Sequence, residues 1–472
     1  MNVPIVRLFG LITLLFALLV GATSWWTVVK AEDLRDKPSN RRAVLAEERI
    51  KRGVIRSADG VVLAGSTRLP AERYGRRYPE GELFGHPIGY SFTRIGRSGL
   101  ERFRNDQLTG RETELVSVVD SLVGKDRVGH DVVTTLSAKA QKVAFSGLGD
   151  RRGAVVALDV KTGGVLVMAS NPGYDPNGID DRKTFERLNR DDANAPLLNR
   201  ATQGLYPPGS TMKVVTAAAA LDSGRFKPDS VVDGKNAKEI SGVPLNNFGG
   251  QDFGKIDLTT ALTKSVNTVW AEVAEKLGKE RYAEYMERFG FGEETEMDYP
   301  ADQIFQSGTR RGRRVVSARS KTVDIGRVAI GQGTLLVTPL QMAMVVQTVA
   351  NGGMRLVPHI TSKVVDEDGR TVEEIEPEEA GRVMSEDAAA ALTVMMKNVV
   401  REGTGTAAAL EGVEVAGKTG TAELNNTDLN QPWFTGFTDR FAVAVTVERV
   451  QGGTGGEVAA PIAKAVLEAL GE

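Results

Sequence analysis

Between Leu8 and Val29 the chain runs for 22 positions without a charged residue. A helix of that length rises about 30 Å, enough to cross the hydrocarbon of a bilayer. The run therefore divides the chain into a tail (1–7), an anchor (8–29) and everything after about Lys30, which lies across the membrane from the tail. Arg7 and the terminal amine precede the run and place the tail in the cytoplasm, while Trp25 and Trp26 suit the far interface. A signal peptide cleaved near Val20-Gly21-Ala22 is the alternative. Continuation of the apolar run through Val28 and Val29 favours an uncleaved, single-pass anchor with extracytoplasmic domains.

Composition closes several routes. The 472 residues include no cysteine, so disulfides, thiolate zinc sites and thiol catalysis are excluded. His86, His130 and His359 stand apart, without metal-ligand spacing. Net charge is -2, from 59 basic and 61 acidic residues, and gives no electrostatic case for nucleic acid. Length and a 41% hydrophobic content suit two or three globular domains.

The stretch Ala31 to Arg56 is dense in charge and reads as a solvated stalk. Arg52 to Ile55 and Ala58 to Ala64 read as a hairpin turning at Asp59-Gly60. Short mixed strings follow, so residues 30–145 are expected to form a small, mainly β module. From Arg151 the texture changes. Gly153 to Val160 and Val165 to Ser170 read as strands joined by a tight turn at Lys161-Thr162-Gly163-Gly164, and Phe441 to Val447 as another. Helices are expected over Ser210 to Leu221, Thr259 to Leu277, Pro339 to Ala350, Glu386 to Val400 and Pro461 to Leu470. Asp366-Glu367-Asp368-Gly369 reads as a β-turn and not a calcium loop. Residues 150–472 thus form an α+β domain, an antiparallel sheet with flanking helices.

Within that domain, Pro207-Pro208-Gly209-Ser210-Thr211-Met212-Lys213 places a lysine three positions after a serine. On a helix the two share a face. A serine there could be a mere cap, but Lys213 is followed by eight uncharged residues, and a cation in such surroundings is costly unless it works. As a neutral amine, Lys213 can take the proton of Ser210. Burial and a second cation, Lys418, would depress its pKa. Ser265-Val266-Asn267 has i, i+2 spacing, which does not share a helix face and implies a loop with both side chains in one cleft. Gly417-Lys418-Thr419-Gly420-Thr421 reads as a strand bordering a groove. Its Gly420 allows a ligand close to the backbone, and Lys418, Thr419 and Thr421 form a carboxylate-binding cluster. Lys161-Thr162-Gly163 repeats the string but belongs to a turn.

Serine-x-x-lysine, then serine-x-asparagine, then lysine-threonine-glycine, in that chain order, resembles the class B penicillin-binding proteins, monofunctional D,D-transpeptidases of cell-wall synthesis. The likeness extends to Gly85-His86-Pro87-Ile88-Gly89-Tyr90, Asn171 to Asn177, Ile330-Gly331-Gln332-Gly333 and Thr338 to Ala343, and looks most like the actinobacterial penicillin-binding protein A type. It implies a transpeptidase domain of the serine β-lactamase-like fold on a pedestal module. It also implies that Ser210 attacks D-Ala-D-Ala of a peptidoglycan stem peptide, with Lys213 as base and Ser265 as proton relay. Asn267 would contact the substrate amide, and Lys418, Thr419, Gly420 and Thr421 the carboxylate end. The backbone N–H groups of Ser210 and Thr421 would form the oxyanion hole. β-Lactams would be trapped as acyl-enzymes, no cofactor or metal is implied, and partners in the elongation or division machinery are. Only about 120 residues separate the anchor from the catalytic strands, which disfavours a glycosyltransferase module. A D,D-carboxypeptidase and a β-lactam-binding sensor or scaffold share these motifs.

Overall fold

The structure, a computed structural model, describes residues 2–25, 47–110, 128–424 and 428–471. Trp26 to Val29 at the end of the expected anchor, the charged stretch from Ala31 to Ala46, and residues 111–127 lie outside the described residues.

The N-terminal apolar run is helical but starts earlier than its uncharged stretch, at Asn2, and is described to Ser24. Nothing in the first residues breaks a helix, and Pro4 sits in the first turn, where its missing N–H is not needed. Val3–Ser24 is long and apolar enough to cross a membrane, and its side chains are exposed.

The catalytic region is built on a fully antiparallel sheet. Its strands lie in the order Ala416–Glu423, Leu429–Phe437, Phe441–Val447, Gly153–Asp159, Val165–Asn171. Alternate side chains of Gly153–Asp159 enter different cores. Val155 and Ala157 face the helices Ala138–Leu148 and Ala460–Leu470, while Ala154, Val156 and Leu158 face the other side. There the sheet rests on Pro339–Ala350, which is buried almost throughout. Covering both faces explains why these strands read as unbroken apolar runs. Behind Pro339–Ala350 lie Lys213–Asp222 and Glu386–Glu402, the latter capped by the Ser385 side chain on Ala388 N–H.

A second, six-stranded sheet carries the N-terminal module. Its order is Thr371–Glu374, Thr361–Val365, Asp131–Thr134, Ile55–Arg56, Val62–Leu69, Arg73–Arg77, with one parallel pairing, Ile55–Arg56 on Asp131–Thr134. The expected hairpin at Asp59-Gly60 is present. Two of its strands arrive from far along the chain, and Asp366 to Gly369 is the tight turn between them, closed by Gly369 N–H on Asp366 O at 3.1 Å. Polar contacts lock this pair in place. Arg104 donates to Glu373 at 2.9 and 3.0 Å and to Thr361 Oγ1 at 3.0 Å. The Asp298 carboxylate accepts from Ile360 and Thr361 N–H at 2.6 and 2.7 Å. The 85–90 and 171–177 segments meet nearby, where Tyr174 Oη donates to Gly85 O at 2.7 Å.

Candidate active site

Ser210 does not open an α-helix. It lies in a 3₁₀ turn, Gly209–Met212, and the α-helix begins at Lys213. The tighter turn still brings the pair together, with Lys213 Nζ 2.9 Å from Ser210 Oγ. Gly209 makes the turn possible. Its φ is +54°, and a Cβ there would press within 3.1 Å of the Thr421 carbonyl carbon and Ala422 N. On its other side Gly209 N–H donates to Gly331 O at 3.0 Å, which gives the Ile330-Gly331-Gln332-Gly333 string its place beside the nucleophile.

Ser265 sits where the expected Thr259 to Leu277 helix breaks in two, Leu258–Thr263 and Asn267–Leu277. Its φ of +58° is left-handed, a strained conformation for a residue with a Cβ. The strain turns both of its oxygens onto lysines. Ser265 O lies 2.7 Å and Oγ 3.2 Å from Lys213 Nζ, and Oγ lies 2.9 Å from Lys418 Nζ. Asn267 Oδ1 takes a further contact with Lys213 Nζ at 2.7 Å, while its Nδ2 donates to Asn246 O at 3.1 Å. The Asn267 amide is thus engaged by protein on both ends and holds the lysine.

Lys418 reaches the cluster from the edge strand Ala416–Glu423 and also donates to Thr419 O at 3.0 Å. Thr419 Oγ1 lies 2.5 Å from Thr404 Oγ1, and Thr421 Oγ1 accepts from Gly455 N–H at 3.2 Å. Gly420 also has to be small for the packing of the protein itself. A Cβ there would come within 2.8 Å of Pro208 O, so the strand packs closely on the segment that leads into the nucleophile turn.

Both lysines are fully buried, and the hydrogen-bond partners of each are hydroxyls, carbonyls or an amide. Burial, then the Lys418 charge, holds Lys213 well below the usual lysine range, and burial brings Lys418 down to about 7. The geometry agrees with a neutral Lys213. Ser265 O and Asn267 Oδ1 can only accept, so they take the two N–H groups of an amine. The lone pair is then left for the hydroxyl proton of Ser210.

A serine with its own lysine base, a strained serine bridging to a second lysine, and a threonine-lined edge strand form a site for serine acyl transfer. The comparisons agree with it. The penicillin binding protein transpeptidase domain family matches residues 153–468, and the penicillin binding protein A dimerisation domain family matches residues 52–132. The chain belongs to the penicillin-binding proteins, of the A type. Over 99% of both chains it is 34% identical to the peptidoglycan D,D-transpeptidase PbpA of Mycolicibacterium smegmatis, and 31% identical to PbpA of Mycobacterium tuberculosis. The structure of M. tuberculosis penicillin-binding protein A as a ceftriaxone acyl-enzyme superposes with a TM-score of 0.81 at 30% identity, covering 91% of this chain and all of that one.

In this penicillin-binding protein the other candidates serve the fold. Lys161-Thr162-Gly163 is a turn, its first two N–H groups donating to Asp159 Oδ1 at 2.8 Å. His86 is buried against Pro172, and burial lowers it to about 4. Thr404, Asn246 and Gly455 support the site but carry no local signal, because each acts on a residue 15 or more positions away.

Proposed function

We propose that the chain is a membrane-anchored peptidoglycan D,D-transpeptidase working through an acyl-enzyme on Ser210. The four oxygens around Lys213 Nζ carry this reading, since they leave its lone pair on the Ser210 hydroxyl. Ser210 Oγ attacks the D-Ala-D-Ala carbonyl as its proton passes to Lys213. The oxyanion is held by the backbone N–H groups of Ser210 and Thr421. Ser265 Oγ, between the two lysines, returns a proton to the departing D-Ala amine. An amine on a second stem then displaces Ser210, forming the cross-link. Thr419, Gly420 and Thr421 receive the substrate carboxylate, with Lys418 behind them supplying charge, and Asn267 contacts the substrate amide while keeping Lys213 in place. β-Lactams mimic D-Ala-D-Ala and stop at the acyl stage. The apolar helix keeps the site at the outer membrane face, and the N-terminal module offers a surface to other proteins of the elongation or division machinery.

Labelling the full chain with fluorescent penicillin tests the reading. A persistent adduct on the wild type that Ser210→Ala lacks, together with cross-linking of uncross-linked stem peptides, is expected. No wild-type adduct would overturn it, and rapid release of the label would point to a β-lactamase.

A further inference from the structure

A groove of about 1090 Å³ is lined by residues of 301–315 together with Leu205, Glu294 and Leu336. Leu205 lies five positions before Ser210 in the chain. Asp302, also in the lining, sits at the seam with the N-terminal module, where Arg102 donates to Asp302 at 2.8 and 2.9 Å and Gln303 Oε1 accepts from Gly99 N–H at 2.9 Å. Ile304 and Phe305 give it an apolar floor, and Phe305 is 39% exposed. Its wall is the hairpin Gly308–Arg311 with Arg314–Val315.

That hairpin breaks a rule of strand pairing. Arg311 and Arg314 are cross-strand partners, and like charges placed opposite one another destabilise a pair. Arg310, Arg311, Arg313 and Arg314 fill four of five consecutive positions around Gly312. Arg310 braces the tip, donating to Arg313 O at 3.1 Å and Gln306 O at 2.5 Å. Arg311, Arg313 and Arg314 are exposed, and among the described residues none has a carboxylate within the 4.0 Å of an ion pair. Nearby Arg319 and Arg355 do, on Glu280 and Glu293. An unpaired arginine cluster over an apolar floor is complementary to an anionic chain with carboxylates to offer.

The groove's position selects the chain. Arg310 N–H donates to Thr334 O at 2.9 Å, Leu336 pairs with Gly308, and Gly331 bonds to Gly209. Segment 331–337 therefore ties the arginine wall to one side of the nucleophile turn, while Thr421 and Ala422 of the edge strand lie against the other. We propose that the groove seats the second, acceptor peptidoglycan strand, its stem-peptide carboxylates on Arg313 and Arg314, so that its amine meets the acyl group on Ser210. The proposal rests on the transpeptidase reading.

The test uses the full chain in detergent, with soluble uncross-linked glycan strands carrying stem peptides as acceptor. Arg313→Glu with Arg314→Glu should weaken strand binding by about ten-fold or more and flatten its salt dependence. Acylation of Ser210 by penicillin serves as the reference, because that molecule needs none of the groove. Should the reversed pair fail to fold, the Gln pair is expected to show the same loss, smaller in size. Removing the stem peptides from the strands should abolish the difference between wild type and variant. Unchanged strand affinity in a variant that still takes penicillin would overturn the proposal, as would tighter binding of a phosphodiester polymer or of anionic vesicles. Loss of penicillin acylation in the wild type would instead sink the transpeptidase reading.

Discussion

Two buried charge clusters, one in each module, behave in opposite ways. In the N-terminal module Glu101 is fully buried, and Arg52 and Arg76 both donate to it, Arg52 at 2.8 Å. Burial alone would raise its pKa, but Arg76 and Arg52 overcome that and hold the carboxyl below its usual range. In the catalytic domain Lys213 and Lys418 are equally buried, but their partners carry no negative charge, so burial wins and both lysines fall. The paired cluster fixes a joint between strands. The unpaired one uses the cost of burying a charge to keep the Lys213 amine unprotonated and free to accept a proton.

The contrast breaks most sharply at Lys213. Lys213→Met should cut the rate of acylation by penicillin by about a thousand-fold, read by stopped-flow labelling, with little loss of stability because an uncompensated amine is replaced by an apolar chain. Glu101→Ala should do the reverse. It leaves Arg76 buried without an anion and Arg52 with only the longer Glu47 contact at 3.6 Å, and should cost about 3–5 kcal/mol in urea unfolding, while the molecules that remain folded still acylate. The pH dependence of stability separates the clusters further. The Glu101 contribution is present above the unfolded carboxyl value of about 4.3 and is lost as pH falls through its lower folded value. Lys418 stabilises fully only above the unfolded lysine value of about 10.4, and that stability is lost as pH falls toward its folded value of about 7. Unfolding free energy should therefore climb between those limits in the wild type, and less so in Lys418→Met. Ser265 gives a smaller effect. Ser265→Gly should be more stable than Ser265→Ala by about 1 kcal/mol, since only glycine is relaxed at φ +58°, with both variants slow to acylate. The smallest change is expected at the exposed Arg102–Asp302 pair, where Asp302→Asn should alter stability by less than about 1 kcal/mol.

How much the sequence discloses follows from the range of the interactions. Gly153–Asp159 and Phe441–Val447 are legible because each strand is apolar on both faces. Lys213 is legible because a charge in an alanine-rich run is out of place. The shift from α-helix to 3₁₀ turn at Ser210 is not, since it depends on Gly209 fitting between Gly331 and Thr421, two segments distant in the chain. Nor does the string Ser265-Val266-Asn267 reveal that the Asn267 amide also bonds to Lys213 and Asn246. The N-terminal sheet is half hidden for the same reason. Asp131–Thr134 pairs with Thr361–Val365, more than 200 residues on, and no local pattern announces such a partner.

The central claim is that Lys213 is the neutral base and that the Lys418 charge helps keep it so. The direct test is the second-order rate of acylation by penicillin as a function of pH, for the wild type and Lys418→Met. The acid limb should report protonation of Lys213 and should move to higher pH in Lys418→Met, because a cation that disfavours that proton is gone. An acid limb that stays where it was when Lys418 is removed would contradict the account.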